Sequence, residues 1–98
     1  MANQQDLQQE QRRLTILQLL KQDPGYQLND AMLQELLRYR GIRVSYAVIY
    51  ADLAWLEELN LVTTDELPGC TVAHLRNAGV DVADGVSHIP GIARPRPE

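Results

Sequence analysis

Two stretches of helical periodicity, Asn29 to Arg40 and Ser45 to about Leu59, are separated only by Gly41-Ile42-Arg43-Val44, and this tight junction constrains the fold more than any other feature of the chain. In the first stretch Leu33, Leu36 and Leu37 fall on one helical face. In the second Ile49, Leu53 and Leu56 do so, with Val48, Trp55 and Leu59 widening the stripe. Each end carries its own punctuation. Asn29 or Asp30 and Ser45 have side chains that accept from the free amides of a first helical turn. Gly41 supplies the left-handed residue that ends many helices, and Asn60 stands where asparagine commonly replaces glycine. A helix pair joined this briefly has the form of a helix-turn-helix, in which the second helix is presented outward.

An earlier helix is expected over Asp6 to Gln22, with Leu14, Leu17 and Leu20 as its stripe and Asp23-Pro24-Gly25 as its stop; residues Met1 to Gln5 are expected to fray. After Asn60 the pattern changes. Leu61 to Thr64 is β-branched, Leu67-Pro68-Gly69 suits a type II turn, and Cys70 to Leu75 alternates, which together predict a two-stranded hairpin. Asn77-Ala78-Gly79 reads as a further turn, Val80 to Ala83 as one helical turn ended by Gly85, and the proline-rich remainder as an extended tail, laid over the domain or left free. The expected fold is therefore α+β, mainly α: a winged helix-turn-helix of three helices and a two-stranded β-hairpin wing over residues 1–85, followed by an extended tail at 86–98.

Ninety-eight residues suffice for one core, and with one Trp, four Tyr and no Phe that core must be aliphatic. The lone Cys70 fits a reducing compartment, and no apolar run reaches the ~20 residues of a membrane span, so a cytoplasmic location and no membrane contact are expected. Net charge is −4, which opposes nucleic-acid binding through overall electrostatics.

The run Ser45, Ile49, Leu53, Leu56, Asn60, Leu61, Val62 resembles the recognition-helix pattern of ArsR-like and MarR-like bacterial regulators, with Asn60 in place of the usual glycine and Tyr50 where serine is frequent. The end of the chain is similar to that of small winged-helix proteins of Mu-like bacteriophages. Leu75, Gly79, Asp81, Val82, Ala83 and Gly85 match an LxxxGxDVAxG stretch, and Pro90, Gly91, Ile92, Arg94 and Pro95 match a PG(I/V)xRP ending. These resemblances imply a winged-helix fold, a phage or prophage origin, and a place among late or packaging genes; they transfer no settled activity.

With Ile49, Leu53 and Leu56 turned inward, Tyr46, Ala47, Tyr50, Ala51 and Ala54 should face outward. Tyrosine hydroxyls can reach phosphates and alanines can touch thymine methyls, yet no Arg, Lys, Asn or Gln is available there for two-bond base reading. Arg38, Arg40 and Arg43 form a local basic cluster suited to phosphates. The expected partner is double-stranded DNA, with Arg38, Arg40, Arg43, Ser45, Tyr46 and Tyr50 as contact residues; the alternative is a protein-contact module of phage assembly, the outward face then meeting another phage protein. Asp65 and Glu66 on the wing would oppose a duplex, and Arg94 and Arg96 could add a phosphate contact from the tail. Leu7 and Leu14 extend the apolar stripe of the first helix and are expected to pair two copies as a homodimer, unless they cover their own core. No enzyme is expected and no cofactor or metal: Cys70 and His74 on a strand would stand about 13 Å apart, too far to share an ion.

Overall fold

The computed structural model describes residues 3–97. Its elements in chain order are α1 (Gln4–Gln22), β1 (Gln27–Asn29), α2 (Asp30–Tyr39), α3 (Tyr46–Glu58), β2 (Val62–Leu67), β3 (Cys70–Leu75) and α4 (Asn77–Ala83). The three strands form one antiparallel sheet in the order β1-β3-β2. The class is α+β, mainly α, and the arrangement is a winged helix.

α1 begins earlier than its apolar residues announce. Asn3 is its N-cap, accepting from the Asp6 amide, while the Asp6 side chain accepts in return from the Asn3 amide. Gln4 and Gln5 are thus helical rather than frayed; Met1 and Ala2 lie outside the described residues. From Arg13 to Leu20 α1 is buried nearly all round, because α2, α4, β1 and β3 all pack on it. Leu14, Ile16, Leu17, Leu19 and Leu20 join Leu33, Leu37, Ile49, Leu53, Leu56, Leu61 and Val62 in a single aliphatic core.

The caps fall where the sequence places them. Asn29 accepts from the Met32 amide at the start of α2, and Ser45 from the Val48 amide at the start of α3. Gly41 (φ 81°) and Asn60 (φ 61°) take the left-handed conformation that turns the chain out of each helix. Leu59, read as part of the buried stripe, is instead the exposed C-cap of α3.

The hairpin reaches further than Leu61 to Thr64 suggests. β2 extends to Leu67, with Asp65 opposite Val72 and Glu66 opposite Thr71, so Pro68-Gly69 alone forms the tip, with Gly69 at φ 85°. Two elements differ from expectation. β1 pairs Gln27, Leu28 and Asn29 with His74, Ala73 and Val72, making a third strand. Asn77-Ala78-Gly79 is not a turn but the opening of α4, whose Gly79 lies against the Leu61 carbonyl so closely that an added Cβ would stand 2.3 Å from that oxygen.

The tail is laid onto the body. Ile92 is buried in the core, the Ala93 amide donates to the Glu10 carbonyl, and Pro95 packs beside Gly85. No helix among the described residues is long and apolar enough to cross a membrane.

Candidate nucleic-acid interface

The outward face of α3 follows from its period. Ile49, Leu53 and Leu56 are buried, and Tyr46, Ala47, Tyr50, Ala51 and Ala54 are exposed. Tyr46 and Tyr50, one turn apart, stack with ring centroids 6.2 Å apart and 22° between planes. They are 41% and 43% exposed, so both rings remain open to a partner.

Among the described residues, only one of the two hydroxyls is free of a protein partner. Tyr50 Oη donates to Asp30 Oδ2 at 2.6 Å, and the same carboxylate accepts from the amides of Thr71 (3.2 Å) and Ala31 (2.8 Å). Burial alone would raise the Asp30 pKa, but the bonds from Tyr50, Thr71 and Ala31 outweigh it and hold the carboxyl below the usual carboxylate range. The bond to Asp30 favours the protonated phenol, and burial and the Asp30 charge act in the same direction, so the Tyr50 pKa is raised. Asp30 thereby ties α2, α3 and the wing strand β3 together at one carboxylate, and Tyr46 is the tyrosine whose hydroxyl remains available.

The arginines do not act as one cluster. Arg38 and Arg43 line a common hollow with Gln34, Glu35 and Val44, although Arg38 also pairs with Glu35 one turn back. Arg40, at the C-cap of α2, bonds Gln22 Oε1 at 3.2 Å and so turns toward the end of α1. Ser45 uses its hydroxyl oxygen for the helix cap. On the wing, Asp65 contacts His74 Nε2 at 2.8 Å and Glu66 is exposed, so the hairpin carries acidic charge. Leu14 is 2% exposed inside the monomer core, which removes it from any surface a second copy could reach, whereas Leu7 is 57% exposed.

A second polar assembly escaped the sequence reading. Asp52, 2% exposed on α3, accepts from Arg12 Nε, from Arg12 Nη2 at 3.2 Å and from Arg13 Nε at 3.4 Å. Arg13 also lies over the Trp55 ring, 3.8 Å from its centroid, and donates through Nη1 to the Gly91 carbonyl at 3.2 Å. Gly91 itself has φ 98° and sits so close to the indole that a Cβ would lie 2.9 Å from Trp55 Cζ2. The sequence did hold a signal: Asp52 follows Ile49 by three residues and so sits on the inward face of α3, where an acidic residue requires a partner.

Among the described residues no group of three or more His, Cys, Asp or Glu side chains is placed to hold a metal ion. Cys70 and His74 lie on the same strand, opposite Leu67 and Thr63 respectively.

No protein-family model matches the sequence. Among solved structures the fold is similar to RosR of H. salinarum, in complexes described as RosR-S1 and RosR-S4 and in a form grown from NaBr. TM-scores are 0.62, 0.62 and 0.63 at 26%, 26% and 25% identity. These matches cover 74% of this chain but only 63%, 62% and 66% of the RosR chains, so the protein corresponds to less than two thirds of RosR. Among curated sequences, the uncharacterized protein gp26 of Escherichia phage Mu is 40% identical over 92 residues, covering 94% of this chain and 95% of gp26. With near end-to-end coverage at this identity, the chain belongs to the family of phage Mu gp26, and its fold is a winged helix.

Proposed function

We propose that the protein is a phage DNA-binding protein, a transcriptional regulator or a DNA-packaging accessory, that presents α3 to double-stranded DNA. The observation that carries this reading is the exposed face of Tyr46, Ala47, Ala51 and Ala54 on the second helix of a helix-turn-helix, with Arg38 and Arg43 in a hollow beside the start of that helix. The small residues permit close approach to a groove, Tyr46 offers a hydroxyl to sugar or phosphate, and the two arginines supply backbone contacts. Ser45 fixes the start of the reading helix, Tyr50 contributes its ring rather than its hydroxyl, and Arg40 approaches from the α1 side. The resemblance of α3 to ArsR-like and MarR-like regulators supports the same placement.

Pairing of two copies near the start of α1, where Leu7 is exposed, would add the basic charge of two protomers and offset the acidic charge of the wing. An electrophoretic shift titration on phage DNA at low and moderate salt tests the reading. The wild type is expected to bind with an affinity that falls as salt rises. Arg38→Ala with Arg43→Ala should weaken binding across sequences and reduce the slope of log K on log salt by about 0.9 per lost contact. Tyr46→Ala should lower affinity without altering that slope. Binding that is absent at low salt rejects the proposal. The acidic hairpin residues Asp65 and Glu66 favour the second reading, a protein-contact module of phage assembly, in which the same α3 face meets another phage protein.

A further inference from the structure

A groove of about 860 Å3 opens at the start of α1, walled by that helix, by the α2–α3 turn and by the end of the tail. Four arginines line it, Arg12, Arg43, Arg94 and Arg96, in a chain that holds only nine Lys and Arg altogether. Among the described residues Glu10 is its sole acidic lining residue. Arg12 is already committed to Asp52, whereas among the described residues Arg43, Arg94 and Arg96 form no ion pair. Among the described residues, three guanidinium groups without an ion pair stand against one carboxylate, which makes this groove a basic region of an acidic protein.

Arg43 also lines the hollow it shares with Arg38 beside the start of α3. The groove and the hollow therefore share one side chain, and the acidic residue of the hollow, Glu35, is paired with Arg38. The tail segment that carries Arg94 and Arg96 is fixed from beneath, by burial of Ile92, by the Ala93 amide on the Glu10 carbonyl, by Arg13 on the Gly91 carbonyl and by Pro95 beside Gly85. The two arginines are thus presented on an ordered support, which spares a ligand most of the entropy of ordering a free arm.

We propose that the docked tail is a second phosphate-binding element, so that a track of Arg38, Arg43, Arg94 and Arg96 follows one strand of duplex DNA beyond the reading helix. The proposal rests on the DNA-binding reading above and adds contacts that reading does not contain. Arginine suits the role because its planar fork matches phosphate oxygens and its charge is never lost. Leu7, on the α1 wall, is not required by the track.

The test measures the salt dependence of binding of the full chain to a short random-sequence DNA duplex, for the wild type and for Arg94→Gln with Arg96→Gln. Both positions are exposed, and a thermal melt checks that the variant folds as the wild type does. Wild-type affinity should fall as salt rises from ~50 to ~200 mM, and removing both arginines should shrink that fall by roughly threefold per lost contact, with affinity for all sequences reduced alike. A variant that binds DNA with unchanged slope overturns the tail contact while leaving the α3 reading intact. A wild type without DNA affinity overturns both. Unchanged slope together with a change in solution mass would make the groove an interface between protein copies, which also overturns the proposal.

Discussion

Asp30 carries an unusual load for one carboxylate, since the opening amide of α2, the amide of Thr71 on β3 and the hydroxyl of Tyr50 on α3 all converge on it. Because its pKa is held below the ordinary range, its stabilising contribution is complete above about pH 4 and is lost as pH falls through the lower folded value. Asp30→Asn should therefore flatten the acid limb of a melting-temperature profile. Tyr50 runs in the opposite direction: its raised pKa stabilises the fold fully below about pH 10, and the contribution is lost as pH climbs through the folded value. Tyr50→Phe should remove that alkaline loss and, by taking one of three donors from the buried Asp30 carboxylate, lower the denaturation midpoint at neutral pH. At Gly91 the constraint is steric. A φ of 98° and contact with Trp55 exclude any side chain, so Gly91→Ala should lift the tail, seen as faster proteolysis after Gly85 and a change in Trp55 fluorescence.

Among the elements, α1 and α3 are joined twice, by aliphatic packing and by the buried Asp52 with Arg12 and Arg13. Removing one member of a buried ion group leaves the other charges uncompensated, so Asp52→Ala should cost about 3–5 kcal/mol. Because Arg13 also holds the Gly91 carbonyl, hydrogen exchange at the Ala93 amide should accelerate in this variant more than the drop in global stability requires. The Mu-like ending is explained at this level. Gly79 admits α4 against the Leu61 carbonyl, Gly85 turns toward Pro95, and Gly91 with Ile92 seats the chain on Trp55 and the core. Most of that motif secures the tail; Asp81, Gly85, Pro90 and Arg94 are its exposed members, and Arg94 is the basic one.

For the whole molecule, the consequence is that the tail contributes to the core rather than trailing from it. Shortening the chain to residues 1–85 should lower stability by at least the ~1.5–3 kcal/mol of a fully buried isoleucine, measured as a shift of the urea midpoint, because Ile92 is lost from the cluster. Charge is likewise unevenly distributed. A net charge of −4 coexists with a basic groove at one end of α1, while the wing bears Asp65 and Glu66. Overall charge is thus a poor guide to what any one face of this protein attracts, since opposite charges separated by more than about 10 Å are largely screened from each other in ordinary salt.

Local chemistry in the sequence determined the three main helices, their caps at Asn29 and Ser45, the left-handed exits at Gly41 and Asn60, and the inward turn of Ile49, Leu53 and Leu56, because caps and periodicity act within a few residues. Tertiary structure alone decided what depends on distant partners. β1, with Leu28 as its one apolar residue, exists because β3 supplies its hydrogen bonds; Arg40 turns to Gln22; Leu14 is closed into the core; and the tail that brings Arg94 and Arg96 beside Arg43 is held by Trp55 and Arg13 from elements far away in the chain. Such placements depend on which distant element supplies the partner, and local periodicity marks only that a position turns inward, as at Leu14 and Asp52, not what it meets there.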